Sequence, residues 1–197
     1  MSIEKLIKAF ELEKRILGVG AKKCPPSAIQ AVEKELELVF PPTYRYYLEN
    51  IHLNSRTPIF GIELTENGEF KETSSVFVTY DLRNYEDLPD EYVLIDQEND
   101  FQHVLDTTQV NEVGVGESPV ISWHQEHQRI VYPDFDGFYL EMVDGEIYSY
   151  MYEKAEEQKL KKEEVQAYIQ LHGELGFSAT EHRFLKKHWE QLQRKAK

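Results

Sequence analysis

Apolar positions near the amino terminus recur at helical spacing. Ile3, Leu6, Ile7, Phe10 and then Ile16 or Leu17 lie three or four apart, which predicts an amphipathic helix over Ser2 to Leu17. Gly18 and Gly20 end it, because glycine accepts the positive φ that closes a helix. Ser27 and Gln30 have the spacing of a capping box, so a second helix is expected there, with Ile29, Val32 and Leu36 on its inner face. Pro41-Pro42 interrupts that period. Proline is tolerated in a first helical turn, so Pro42 can open a third helix carrying Tyr44, Tyr47, Leu48 and Ile51 on one side.

After Asn54 the pattern shortens to β-branched and aromatic runs separated by turn residues. The runs at 59–62, 76–78, 92–95, 120–123 and 129–132 read as strands, with Glu66-Asn67-Gly68 as a turn, and predict an antiparallel sheet over 58–132. His124 to Gln128 suits a solvated hairpin tip. Phe135, Phe138, Tyr139, Met142 and Val143 return to helical spacing, whereas 144–152 fits either a helix or a strand. From Glu153 the composition turns to Glu, Gln and Lys, with Leu160, Val165, Ile169 and Leu171 loosely periodic up to Gly173 and Gly176. Ser178 and Glu181 form a further capping box ahead of Phe184, Leu185, His188, Trp189 and Leu192.

The expected architecture is therefore α+β: N-terminal helices packed on one face of a mostly antiparallel sheet within residues 1–152, and a helical C-terminal extension over 153–197. The apolar face of that extension calls for cover, from the domain itself or from a second copy, so a homo-oligomer through the C-terminal helices is one expectation.

Composition narrows the function. The longest unbroken apolar run is Tyr92 to Ile95, far short of the roughly 20 residues of a membrane span. The amino terminus lacks a basic stretch followed by an apolar run, so a cytoplasmic location without membrane attachment is expected. A single cysteine, Cys24, makes no internal disulfide. The chain has a formal net charge of −14, and residues 81–150 concentrate it, with 17 Asp or Glu against Arg83 and Arg129 alone. Such a field repels a polyanion, which argues against direct nucleic-acid binding, and attracts a basic protein.

Motifs for chemistry are weak. His124 and His127 lack the His-Glu-x-x-His spacing of zinc proteases. Asp96-Gln-Glu98-Asn-Asp100 alternates carboxylates as a calcium loop does, but Phe101 occupies the position that loop reserves for Gly, and Thr107 stands where it needs Glu. The glycines of Val113-Gly-Val-Gly-Glu are followed by Pro119 and no helical period, which reads as a turn and not a dinucleotide loop. No Gly-x-Ser-x-Gly elbow is present, and only Lys22 and Lys23 would lower the pKa of Cys24. Neither a resident metal nor a cofactor is expected.

One set of residues points to a family. Ile29, Glu33 and Leu36 of the second helix, Pro41, Tyr44, Tyr47 and Leu48 of the third, Phe60 and Gly61, then Pro119, Val120 and Trp123, and finally Phe135, Phe138 and Leu140 together resemble the Smi1/Knr4 family of the SUKH superfamily. The resemblance covers about residues 27 to 143 and implies an α+β fold without catalytic residues. Many bacterial members look like immunity proteins that silence a toxin, often a nuclease; fungal members are regulatory scaffolds. It thus implies a non-enzymatic binding protein for a basic toxin or, alternatively, a regulatory scaffold or adaptor for a cellular protein, with a small enzyme on the same fold as the lesser alternative. In that reading Asp81, Glu86, Asp87, Asp90, Glu91, Asp96, Glu98 and Asp100 steer the partner, and Tyr80, Tyr85, Tyr92 and Phe101 supply contact area.

Overall fold

The computed structural model describes residues 3–52, 57–98, 101–110, 116–124, 127–157, 159–176, 192, 194 and 195. Its elements are α1 (Glu4–Leu17), α2 (Pro26–Leu36), α3 (Pro42–Asn50), α4 (Ser75–Glu86), β1 (Tyr92–Glu98), β2 (Phe101–Asp106), β3 (Val120–His124), β4 (His127–Tyr132), α5 (Phe135–Glu156) and α6 (Lys162–Glu174). The fold is α+β, and its four strands form one antiparallel sheet in the order β1-β2-β3-β4. Internal contacts divide the chain into two compact units, residues 1–3 with 20–138 and residues 4–19 with 139–197.

In the first unit, helix α2 begins at Pro26 with Pro25 as its N-cap and no side-chain cap bond, so the expected Ser27–Gln30 box does not form. Proline supplies the start instead, because its fixed φ and missing N–H suit a first turn. Helix α3 opens on Pro42 as expected, and Tyr44, Tyr47, Leu48 and Ile51 are all buried. Glu33 pins the junction between these helices: its carboxylate accepts the Phe40 amide at 2.8 Å and pairs with Arg45. Tyr44 and Tyr47 meet Phe135 at centroid distances of 5.0 and 5.4 Å.

Two predicted strands are absent. Residues 59–62 are a loop, not a strand: Ile59 and Ile62 are buried, while the Ile62 amide bonds to the His52 imidazole and the Gly61 carbonyl accepts the Ser75 amide. Those backbone groups serve side chains and a helix start in place of a ladder. Val76-Phe77-Val78 is the first turn of α4, because Val76, Thr79 and Leu82 at helical spacing bury one stripe and tertiary packing overrides β propensity. Conversely, β2 is a strand that the sequence pattern does not show: Gln102 to Leu105 are all buried, so both faces of β2 are covered and no polar–apolar alternation marks it.

Leu82 and Leu88 pack with Tyr92, Leu94, Val104, Ile121 and Trp123 on one face of the sheet, joined by Val78 and Phe60. The other face takes Phe138, whose ring lies 5.3 Å from His103 and 5.4 Å from Tyr132. The outer side of β1 is also bonded: the Phe60 amide donates to the Ile95 carbonyl at 2.7 Å, and the Leu94 amide to Thr79 Oγ1 at 3.0 Å. The register of β1 against β2 shifts at this point, between Leu94 and Asp96.

The second unit holds α1, residues 139–156 of α5, and α6. Helix α1 buries Leu6, Ala9, Leu12 and Glu13, so its inner stripe is rotated from the expected one and leaves Ile7 exposed. The buried Glu13 carboxylate accepts the Tyr139 hydroxyl at 2.7 Å. Residues 144–152 are helical, which closes the alternative left open by periodicity. Helix α6 runs through Gly173 to Glu174, and only Gly176, at φ 78°, lies beyond its end. The helix expected from Ser178 onward lies almost wholly outside the described residues.

Candidate protein-docking surface

The residues nominated from sequence for partner contact occupy several settings. Asp81 and Tyr85 project from the outer side of α4, and Tyr85 is 82% exposed, the most open large hydrophobic side chain described. Glu86 is half-buried at the helix end, followed by exposed Asp87, Asp90 and Glu91. Phe101 is half-exposed at the start of β2, its ring 5.8 Å from His124. Tyr92 and Asp96 are buried instead: the first belongs to the sheet core, and the second accepts from or pairs with His103 Nδ1 at 2.8 Å. Asp100 and the side chain of Glu98 lie outside the described residues.

A groove of about 640 Å³ gathers part of this set. Its walls are the end of α2 with the residues that follow (Glu35, Glu37, Leu38), the inner side of α4 (Tyr80, Arg83), and Asp90 and Glu91 ahead of β1, with Thr108 and Val110 beyond β2. Helix α2 stops at Leu36 because Glu37 turns left-handed at φ 55°, and α4 stops because Asp87 does the same at φ 58°. Both stops carry an acid where glycine is the usual residue.

Arg83 is tied into the groove by carbonyls. Its guanidinium donates to Leu36 O at 3.4 Å, to Tyr92 O at 3.3 Å and to the Asp90 carbonyl, with the Asp90 carboxylate 3.9 Å away. Burial pulls its pKa down and the charge of Asp90 opposes that; an arginine remains a cation through such a shift. The Tyr80 hydroxyl donates to the Glu35 carbonyl at 2.8 Å and lies 3.2 Å from Glu35 Oε1, and burial, then the Glu35 charge, raises the phenol. Four carboxylates thus border one committed cation, and the open rim is negative.

Glu35, Glu37 and Arg83 escaped the sequence reading. The only signal was the spacing Glu33-x-Glu35-x-Glu37 just before Leu38-Val39-Phe40, which is equally that of a solvated helix face.

The remaining candidates are quieter. Cys24 is buried, and burial together with the Glu49 charge pushes its thiol up to about 11, so little thiolate exists at neutral pH. His124 and His127 face each other across the β3–β4 ladder. Among the described residues no group of three His, Cys, Asp or Glu side chains is placed to hold a metal ion. No described helix is long and apolar enough to cross a membrane.

No curated protein matches the chain at a significant level. A SUKH family model described as SMI1-KNR4 cell-wall matches residues 3–144, which spans α1 to the middle of α5 and includes every element bordering the groove. The chain belongs to the SMI1-KNR4 family of the SUKH superfamily.

Proposed function

We propose that this protein is a non-enzymatic binding module of the immunity type, which silences a basic toxin by holding it against the acidic surface formed by the end of α2, the outer side of α4 and the segment before β1. The supporting observation is the convergence of Glu35, Glu37, Asp90 and Glu91 around one groove, with Asp81 and Tyr85 on the adjoining helix and Asp87 just past its end. A nuclease is the partner class this surface suits best, since an enzyme that grips phosphate must present cations, and an acidic cover competes for the same side chains. Tyr85 would supply the aromatic anchor, as interface energy concentrates in a few such residues. Tyr92 and Asp96 have no place in this docking surface because they are buried.

The test is co-expression with a basic nuclease toxin, should the neighbouring gene encode one, followed by association kinetics with the purified pair. The triple charge reversal Asp81→Lys, Asp87→Lys, Glu91→Lys is expected to slow association at least tenfold at low salt and flatten its salt dependence, while Tyr85→Ala speeds dissociation. Unchanged rate and salt slope in the triple variant would remove this surface from the contact. Protection by the adaptor route would show instead as tight binding to a cellular protein with no neighbouring toxin gene.

A further inference from the structure

Strand β4 is the sheet edge remote from β1, and the two edges differ. The outer side of β1 is closed by Phe60 and Thr79, whereas from His127 to Val131 no backbone group bonds outside the β3 ladder among the described residues. Residues 127–130 are exposed, and Ile130 is 62% exposed. An edge of this kind is normally blunted by lysine, proline or a bulge. Here the register shift falls within β4 at Val131, directly after Ile130, and Arg129 is the one charged side chain described on the strand; ahead of the shift the run His127 to Ile130 pairs regularly with His124 to Ile121 and carries neither lysine nor proline.

The two faces of this edge differ chemically. On one, Arg129 stands opposite Ser122, and these two with Phe101, His127, Gln128 and Val131 line an open depression of about 560 Å³ that wraps the strand edge. Arg129 makes no ion pair among the described residues, although it lies in the most acidic part of the chain; Arg83, the other cation there, is committed to carbonyls. On the opposite face Ile130 extends the row begun by Ile121 and is left uncovered.

We propose that β4 is a docking strand for an extended segment of another polypeptide, one that sets a carboxylate side chain against Arg129 and a β-branched apolar side chain against Ile130. Because strand side chains alternate, those two residues are neighbours in the guest sequence, acid beside apolar. Main-chain bonding along β4 supplies affinity, and the Arg129 depression supplies selection. A second copy of this chain is a poor occupant, since its own β4 has no acid to offer Arg129 and both copies carry −14. The site is separate from the acidic groove, so either can fail without the other.

The probe is the fluorescein-labelled peptide Ser-Thr-Val-Glu-Val-Thr-Val-Ser, compared with a twin in which Lys replaces Glu and a twin N-methylated at alternate residues along the bonding edge. Titrated into the full chain, the Glu peptide is expected to protect amides of His127 to Ile130 from hydrogen exchange and to bind about tenfold tighter than the Lys twin. Arg129→Glu, an exposed substitution, is expected to reverse that preference, and the N-methylated twin to give no protection. Absence of protection in β4 at millimolar peptide, protection confined to another element, or an unchanged preference in Arg129→Glu would each overturn the proposal.

Discussion

Gly61 stands against the imidazole of His52 so closely that a Cβ at position 61 would lie 2.3 Å from His52 Cε1. The ring cannot step aside. It is 1% exposed, its own backbone is left-handed at φ 44°, and its Nε2 sits 2.9 Å from both the amide and the carbonyl of Ile62. Gly61→Ala is therefore expected to destabilise the fold by about 1–3 kcal/mol through overpacking. Urea unfolding would show it as a lower midpoint at unchanged slope. Combining it with His52→Ala should cost less than the sum of the two single changes, because the second removes the obstacle met by the first. Additive losses would mean that the contact does not govern the site.

The same histidine should give stability a pH dependence. Burial depresses its pKa below the ordinary 6.5, helped by the Lys22 charge and opposed by the Ile62 carbonyl and Glu63. The folded chain then binds fewer protons than the unfolded one between the depressed value and 6.5. Its contribution is thus fully present above 6.5 and is lost as the pH falls through that window. Stability curves for the native chain and for His52→Gln, measured from pH 7.5 downward, should converge as the pH falls below 6.5. Parallel curves would show that His52 titrates alike in both states.

Parts of this fold were legible because single residues dictated them. Pro42 can open a helix and does, and Tyr44, Tyr47 and Leu48 then share one face to bury. Tyr92 to Ile95 and Val120 to Trp123 are short apolar runs bounded by turn residues, the pattern of a strand, and both are strands. The failures have a common cause. Val76, Val78 and Thr79 favour strand locally, and only their burial with Leu82 against Leu94 makes them helical. Phe101 to Asp106 was read with the preceding acids as a failed cation loop, which hid a strand. The groove was not legible at all, since Glu37, Arg83 and Glu91 come from three separate segments and meet only when Arg83 bonds the Leu36 carbonyl.

Asp96 shows how far acid content can mislead about a surface. It faces His103 across β1 and β2, 3% exposed, with its Oδ2 2.8 Å from the ring nitrogen. Removing one member of a buried, bonded pair leaves the other without its partner, so Asp96→Ala should cost about 1–3 kcal/mol of stability. Exposed Asp81→Ala should stay within about 0.5 kcal/mol. Association with a basic partner should respond in the opposite order, falling for Asp81→Ala and holding for Asp96→Ala under conditions where both remain folded. Thermal unfolding paired with stopped-flow association separates the two roles, and equal effects on association would return Asp96 to the contact.

Glu37 and Asp87 bind stability and docking into one trade. Each holds a left-handed backbone at a helix end, φ 55° and 58°, where a side chain costs about 1 kcal/mol relative to glycine. Each also places a carboxylate on the groove or on the helix beside it. Glu37→Gly and Asp87→Gly should therefore raise the unfolding midpoint, by about 0.5–1 kcal/mol each, while slowing association with a cationic partner. Glu37→Asn weighs the terms differently, since asparagine tolerates the left-handed region but removes the charge: it should gain only part of the stability that glycine gives while showing the same slowing of association. A gain in stability with no change in association would mean that these acids are only costly helix stops, and the negative rim would then have to draw its attraction from Glu35, Asp90 and Glu91 alone.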